Sequence, residues 1–415
     1  MSTNGKLRVA LLSLHSCPLG RPGTRDTGGM SIYIKQVSRH LGQKGIAVDV
    51  FTSHQEPEEP APMELGENVR LIHLPSEAPQ PGGKLGLYPH LSDLACAAHT
   101  FGREAGLQYD LVHSHYWLSG LAGQVLAGWW KVPHITMLHT SARAKNRALG
   151  SGVETELRSE SEREILSTAD LIVAATKREE RDLVELYDAS PAKIAIIPCG
   201  VDMEMFQPHP KDRARLALGL NASRIILYVG RLEPEKGLDL LLDAVALMKD
   251  RDGLTVLILG GGDQDGEEKE RLIQRCQELG ISENIRLQDA VEHRRMPIYY
   301  SAADVCVLPS CYETFGLATL EAMACGIPVI ACRVGVMAEL AGNEGTIVLE
   351  ERSPEALAAI LRKTLRDTVF LENMVARIRH SVIEMSWESV SDRIVTEYER
   401  LVDDRQHSGS QSASG

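Results

Sequence analysis

The densest chemistry in the chain lies in SCYETFGLATLEAMACGIPVIA, residues 310–331, where Glu313 and Glu321 stand eight residues apart. The string predicts a strand end, a turn, a helix beginning near Phe315 and a second strand. The amides of Phe315, Gly316 and Leu317 would then have no partner inside the helix and could hold an anion or a sugar hydroxyl. Gly316 lets a ligand approach the backbone closely. A carboxylate accepts two hydroxyl hydrogen bonds at once, which suits a ribose diol or the edge of a hexose. Two glutamates on a solvated helix are the plain alternative for the spacing alone; the whole string is more specific.

A second constellation is YVGRLEPEKGLDLLLDAV, residues 228–245. Its strand ends at Gly230 and its helix begins near Gly237. Arg231 and Lys236 flank the proline-containing turn between them, two cations where a diphosphate would need neutralising. In GTRDTGGMSIYI, residues 23–34, Gly28 and Gly29 stand where a first loop enters a first helix. That is either a phosphate-binding turn, because bare amides at a helix start favour negative charge, or simply a tight turn. Gly260, Gly261 and Gly262 end another strand in the same permissive way.

The elements that must position these residues are legible from composition and rhythm. With 415 residues, 43% of them apolar and 24% charged, the chain reads as globular with two or three domains. A net charge of -13 argues against a general nucleic-acid or anionic-membrane surface. The longest apolar runs fall far short of the ~20 residues that span a bilayer. The short apolar start reads as a first strand, not a signal peptide, and the cytoplasm is the expected compartment. The eight cysteines (Cys17, Cys96, Cys199, Cys276, Cys306, Cys311, Cys325, Cys332) contain no CxxC pair and are expected to be reduced core thiols.

Short apolar runs alternate with amphipathic stretches, the pattern of parallel sheets covered on both faces. Strands are expected at 7–14, 47–52, 69–74, 110–114, 134–138, 170–174 and 193–197, with helices near 30–44, 86–105, 118–130, 154–168 and 177–187. After a proline-rich connection from Pro198 to Pro210, strands follow at 224–229, 254–259, 285–288, 304–308, 328–331 and 346–349, with helices near 237–249, 267–279, 294–302 and 316–325. The fold class is therefore α/β, two Rossmann-like doubly wound domains. We expect a first domain over 1–203, a second over 204–385, a helix over 386–404 that can cross back to the first domain, and a disordered tail over 405–415. Ligands of open parallel sheets bind beyond the carboxyl ends of the strands, which places the expected site in a cleft between the two sheets.

Taken together, GTRDTGGM, HSHYWLSG, LHT, GRLEPEKG and ETFGLATLE resemble, in order along residues 7–403, the retaining glycosyltransferases of family 4, which have the two-Rossmann GT-B fold. Within that family the motifs are most similar to the members acting on inositol phosphate, with sucrose-phosphate synthases second. The resemblance implies that Arg231 and Lys236 bind the diphosphate, that Glu321 binds the ribose hydroxyls, and that Glu313 with the amides after it binds the transferred sugar. It places Gly29, Ser31, Gly260 and Val291 around the donor and His139 on the donor sugar. Lys84, Tyr116, Thr140 and Arg158 would hold an acceptor phosphate, two hydroxyls and two cations. The family's asparagine after GGM is Ser31 here, and Val336 stands where the family has a glycine. The donor implied is a nucleotide-sugar, UDP-linked by the resemblance, with no cofactor or metal required; the partners are small molecules, and a homodimer is compatible with the family.

Rival readings stay on the table. An NAD oxidoreductase needs GxGxxG, and after Leu259 an aspartate stands where its third glycine belongs. A metal-dependent transferase would use Asp-x-Asp, as at Asp250–Asp252 and Asp263–Asp265. His113 and His115 alternate onto one strand face like zinc ligands, without a third ligand at metal spacing. Arg158 among glutamates would, on the plainer reading, be a solvated arginine. A non-catalytic nucleotide-sugar sensor would be expected to have lost some of Arg231, Lys236 and Glu321. An epimerase of the same fold would have little use for the acceptor-phosphate set.

Overall fold

A computed structural model describes residues 7–20, 28–53, 62–75, 83–262, 265–343, 345–366 and 377–412, with the backbone alone for 408–412. The chain divides into two compact units. One takes in the chain through Gly20, the stretch ending at Pro198 and the segment from Trp387 onward; the other includes Cys199–Ser386.

Among the described residues the first unit holds β1 (Arg8–Leu12), β2 (Ala47–Ser53), β3 (Met63–Gly66), β4 (Val69–Leu74), β5 (Leu111–His115), β6 (His134–Met137), β7 (Leu171–Ala174) and β8 (Ile194–Ile196). They form one sheet in the order β3-β4-β2-β1-β5-β6-β7-β8. All pair in parallel except β3, which runs antiparallel to β4. Runs such as Val9–Leu12 are wholly buried, as strands covered on both faces must be. β3 lies outside the expected elements because MELG is short, half-exposed and has no apolar run to mark it.

Helices α1 (Gly29–Gln43), α2 (Leu91–Glu104), α3 (Trp117–Trp130), α4 (Ala142–Leu149), α5 (Glu156–Thr168) and α6 (Lys177–Tyr187) connect these strands. The helix expected from residue 86 is corrected to a 3-10 turn over Gly83–His90 followed by α2. Pro89 supplies the reason, since it removes an amide and biases the preceding residue away from helical angles. α5 starts two residues later than expected because the Thr155 hydroxyl caps it, accepting from the Arg158 amide at 3.3 Å.

The second unit holds α7 (Lys211–Ala217), β9 (Arg224–Val229), α8 (Leu238–Ala246), β10 (Leu254–Leu259), α9 (Gly266–Glu278), β11 (Ile285–Gln288), α10 (Met296–Ala302), β12 (Val305–Leu308), α11 (Leu317–Ala324), β13 (Val329–Cys332), α12 (Met337–Leu340), β14 (Thr346–Leu349) and α13 (Pro354–Arg366). Its sheet is entirely parallel, in the order β11-β10-β9-β12-β13-β14. A core of Leu, Ile and Val from β9, β10, β12 and β13 packs on α8, α9 and α13.

The last helix, α14 (Trp387–Ser412), belongs to the first unit. Trp387 lies edge-on to Tyr33 of α1, Lys44 pairs with Asp392 at 2.6 Å, and the Tyr398 hydroxyl meets His113 Nδ1 of β5 at 2.7 Å. The expected disordered tail over 405–415 is corrected as far as Ser412, to which the helix continues. Once a helix is nucleated and anchored, each added residue gains a hydrogen bond for one residue fixed, so polar residues can prolong it. No helix among the described residues is long and apolar enough to cross a membrane. None of the eight cysteines is disulfide-bonded.

Candidate active site

In each sheet the chain order reverses about one strand pair, β1/β5 in the first and β9/β12 in the second. The crevice outside the carboxyl ends of such a pair is where open α/β sheets bind ligands.

In the second unit, β9 runs into Gly230 and Arg231, and the Tyr228 hydroxyl donates to the Arg231 carbonyl at 3.1 Å. A 3-10 turn over Pro234–Lys236 leads to Gly237, whose φ of 73° lies in the left-handed region and which caps α8. The loop after β12 is tied to this turn by the Cys311 amide donating to the Glu235 carbonyl at 2.9 Å. Across that tie Lys236 Nζ donates to Glu313 Oε1 at 2.6 Å, and the Ser310 hydroxyl donates to the same oxygen at 3.1 Å. Lys236 and Glu313, from different βα loops, are thus brought together. Arg231, on the same loop as Lys236, pairs with Glu233 at 2.7 Å.

Glu321 stands apart with its own partners. His293 Nε2 lies 2.6 Å from its Oε1, the Tyr300 hydroxyl donates to its Oε2 at 2.9 Å, and Phe206 lies against the His293 ring. Each carboxylate oxygen retains a further lone pair for a ligand hydroxyl. The expected helix start near Phe315 is corrected to Leu317. Gly316 takes φ 95° and ψ 67°, outside the right-handed helix, so the first-turn amides begin at Leu317. Phe315 is buried, and its carbonyl accepts from the Val336 amide at 2.7 Å. Val336, in place of the family's glycine, has an ordinary φ of -61° and therefore adds no backbone strain.

Gly260 follows β10 at the same edge, and a Cβ there would sit 1.8 Å from the Gly230 carbonyl oxygen. Only glycine allows the two strand ends to approach this closely. Val291, half-buried, follows β11. Asp250 and Asp252 precede β10, at the opposite end of the sheet, where Arg224 pairs with Asp250 at 3.2 Å and donates to the Asp252 carbonyl at 2.8 Å. Asp263 lies outside the described residues, as do residues 23–27 of the glycine-rich start. No cluster of three or more His, Cys, Asp or Glu able to hold a metal ion occurs among the described residues.

In the first unit Gly28 caps α1 and Gly29 opens it, while the buried Ser31 hydroxyl lies 2.6 Å from that of Ser16, in the loop after β1. Tyr116 and His139 lie in the turns just after β5 and β6, with φ of 74° and 60°. Positive φ is rare for such residues and is held only where the surroundings over-determine it. Contacts of the Tyr116 ring and of Arg158 link all four expected acceptor residues. Lys84 Nζ lies 5.6 Å and Arg158 Cζ 4.8 Å from its centroid, and Arg158 Nη2 donates to the Thr140 hydroxyl at 2.8 Å and its carbonyl at 2.7 Å. The His15 ring lies tilted against the same ring, with centroids 4.3 Å apart.

Arg158 is not solvated. It is 3% exposed, its Nε donates to the buried Glu162 at 2.7 Å, and its Nη1 pairs with Glu154 at 2.9 Å. His15 is pushed down to about 3 by burial first and then by Lys84, His139 and Arg158, so the pocket holds its positive charge on Lys84 and Arg158.

Among the described residues His113 and His115 belong to no cluster able to hold a metal ion; both are buried, His113 on Tyr398 and His115 on His139 at 2.9 Å. Sequence reasoning missed His15, His293 and Tyr300 as neighbours of the expected site. The available signal was position alone, since His15 follows β1 and His293 follows β11.

A family model for glycosyl transferases group 1 matches residues 211–381, and one for glycosyltransferase family 4 matches residues 27–205. The chain is 37% identical over 419 residues to a D-inositol 3-phosphate glycosyltransferase of Kineococcus radiotolerans, covering 96% of each. It is 39% identical over 405 residues to that of Geodermatophilus obscurus, covering 94% of this chain and 89% of the relative. Among solved structures, a sucrose-phosphate synthase from Thermosynechococcus elongatus superposes with TM-score 0.87 at 30% identity, covering 96% of this chain and all of that one. Anabaena Alr3699/HepE in complex with UDP and glucose gives 0.76 at 17% identity over 95% of this chain and 100% of its own, a likeness of fold.

Proposed function

The chain belongs to the family 4 glycosyltransferases of the GT-B fold, and from that premise we propose that it moves a hexosyl or N-acetylglucosaminyl group from a UDP-sugar to a hydroxyl of a small phosphorylated acceptor such as 1D-myo-inositol 3-phosphate, in the cytoplasm and with retention of configuration. The observation that carries the acceptor reading is that four separate segments bring these residues together, Lys84 and Arg158 over the Tyr116 ring and Thr140 on the Arg158 guanidinium. The names of the relatives agree with it.

In the proposed reaction Lys236 and Arg231 hold the diphosphate, Glu321 the ribose, Glu313 and His139 the transferred sugar, with Gly29, Ser31, Gly260, Val291 and the backbone of Phe315–Leu317 lining the donor. The bond from the anomeric carbon to the diphosphate breaks on the face where the acceptor oxygen forms its new bond. The departing diphosphate takes the acceptor's proton. The protein supplies orientation and stabilises the leaving charge. NMR of the first-formed anomer tests this, since an inverted product excludes it.

The acceptor test compares kcat/KM for inositol 3-phosphate and for free inositol. Lys84→Ala is expected to cost roughly tenfold with the phosphorylated acceptor and little with free inositol, the size of one charge-assisted hydrogen bond. Equal losses on both exclude the phosphate pocket. Arg158→Ala is the poorer probe, because it also strips the buried Glu162 of its ion pair. Fructose 6-phosphate belongs in the same screen, because the synthase of 30% identity acts by name in sucrose-phosphate synthesis. Activity is expected to be unchanged by a chelator; complete loss, restored by added divalent metal, would overturn the metal-free reading.

A further inference from the structure

Behind the site, the first unit carries a row of buried rings. His139 meets His115, the His115 and His113 ring centroids lie 4.3 Å apart, and His113 Nδ1 lies 2.7 Å from the Tyr398 hydroxyl. The front pair contains a choice of proton position. His115 Nδ1 and His139 Nε2 are 2.9 Å apart, so one carries the proton and the other offers a lone pair.

The far side of His115 decides which. Its Nε2 is buried without a hydrogen-bond partner among the described residues. A proton there would be a buried donor with nothing to bond, an arrangement that forfeits its hydration. A proton on Nδ1 is used in the bond to His139, and only a bare lone pair is left over. Both rings are neutral. Burial first, then His113 and His139, lowers His115 well below its ordinary value, and burial pushes His139 down to about 3. With His139 Nε2 accepting, a neutral His139 must hold its own proton at Nδ1.

We propose that His115 is a positioning residue that fixes His139 in the Nδ1–H form, so that His139 offers the transferred sugar a hydrogen-bond donor and not a base. What His139 contacts rests on the function proposed above; its tautomer does not. The positive φ of His139 and the edge of Tyr33, 5.1 Å from the His139 ring and 5.6 Å from that of His115, keep the two rings in place. A His139 without a free lone pair cannot take the acceptor's proton, which leaves that task to the departing diphosphate.

The test uses the whole protein labelled with 15N-histidine, without substrate, at neutral pH. Long-range proton–nitrogen spectra report which nitrogen of each ring is protonated, and His139→Asn and His115→Asn variants identify the two rings. His139 is expected to be protonated at Nδ1 and bare at Nε2. In His115→Phe it should drift toward the Nε2–H form that free neutral imidazole prefers. With it kcat should fall roughly tenfold while the donor KM moves by less than about twofold, the pattern of a contact made in the transition state. His115→Asn returns an N–H donor near the same place and should restore most of the loss. An Nε2–H His139 in the unaltered protein, or a tautomer indifferent to His115→Phe, overturns the proposal. Should the Phe variant fail to fold, the unaltered protein's spectrum decides alone. An Nδ1–H His139 whose replacement by alanine, which leaves no donor, keeps transfer at full rate would keep the tautomer assignment and overturn the sugar contact instead.

Discussion

Lys236→Ala is expected to lower kcat/KM for transfer by on the order of a hundredfold, about 2.7 kcal/mol of lost transition-state stabilisation. Lys236 stands at the carboxyl edge of the sheet beside the β9/β12 switch, held at 2.6 Å by Glu313. The bond gives the ammonium a fixed place before any ligand arrives, so little reorganisation is needed as negative charge grows on the leaving diphosphate. The pair is partly exposed, with side-chain accessibilities of 17% and 26%, so the fold should lose little. Thermal unfolding alongside steady-state kinetics separates the two effects: a near-normal Tm with a collapsed kcat is expected. Arg231→Ala should behave similarly through its neighbouring cation. Full activity of the double variant would remove the diphosphate from this loop.

Gly260→Ala is expected to damage both fold and donor binding. The new Cβ would stand 1.8 Å from the Gly230 carbonyl oxygen, a backbone atom that cannot swing aside. The ends of β9 and β10 must part, and with them the turn that carries Arg231 and Lys236. Overpacking of this kind costs typically 1 to 3 kcal/mol and sometimes more. At about 2 to 4 °C per kcal/mol for a domain of this size, a 3 kcal/mol loss lowers Tm by roughly 6 to 12 °C. UDP affinity, followed by calorimetry below the transition, should fall at the same time. A variant with unaltered Tm and affinity would mean that the strand ends are not coupled to the donor loop.

Much of this was readable before any coordinates. Runs such as Val9–Leu12 and Leu254–Leu259 announce buried parallel strands because a strand covered on both faces has no polar alternation to keep. Lys236 and Glu313 were readable because each lies in a short motif dense with turn residues. Arg158 was readable as a residue and unreadable as an environment. Its neighbours in sequence are mostly polar, and only the packing of α5 against α3 and the approach of Tyr116 and Thr140 remove it from water. His115 and His139 are 24 residues apart, and Glu321 and His293 are 28 apart. Periodicity tells which face of an element is buried; it carries no information on which distant side chain waits there. The short β3 and the helix broken at Pro89 failed for local reasons, a four-residue strand too short to show its alternation and a proline inside an otherwise amphipathic run.

The return of α14 to the first unit has a consequence for how the molecule is made. The chain begins in that unit, leaves it after Pro198 and comes back only at Trp387. Synthesis runs from the amino end, so the early half emerges from the ribosome without its closing helix. Tyr33 lacks Trp387, His113 lacks the Tyr398 hydroxyl, and Lys44 lacks Asp392 until the intervening 188 residues, Cys199–Ser386, have been translated. The second unit closes on its own last residues, where Arg379 donates to the carbonyls of Met203 and Phe206 and the Val201 amide donates to the Met385 carbonyl, so it can be complete once Ser386 is made. The order of maturation is therefore the reverse of the order of synthesis: the later-made unit can finish first, and the earlier one holds an apolar groove open for tens of seconds at ordinary translation rates of about 5 to 20 residues per second.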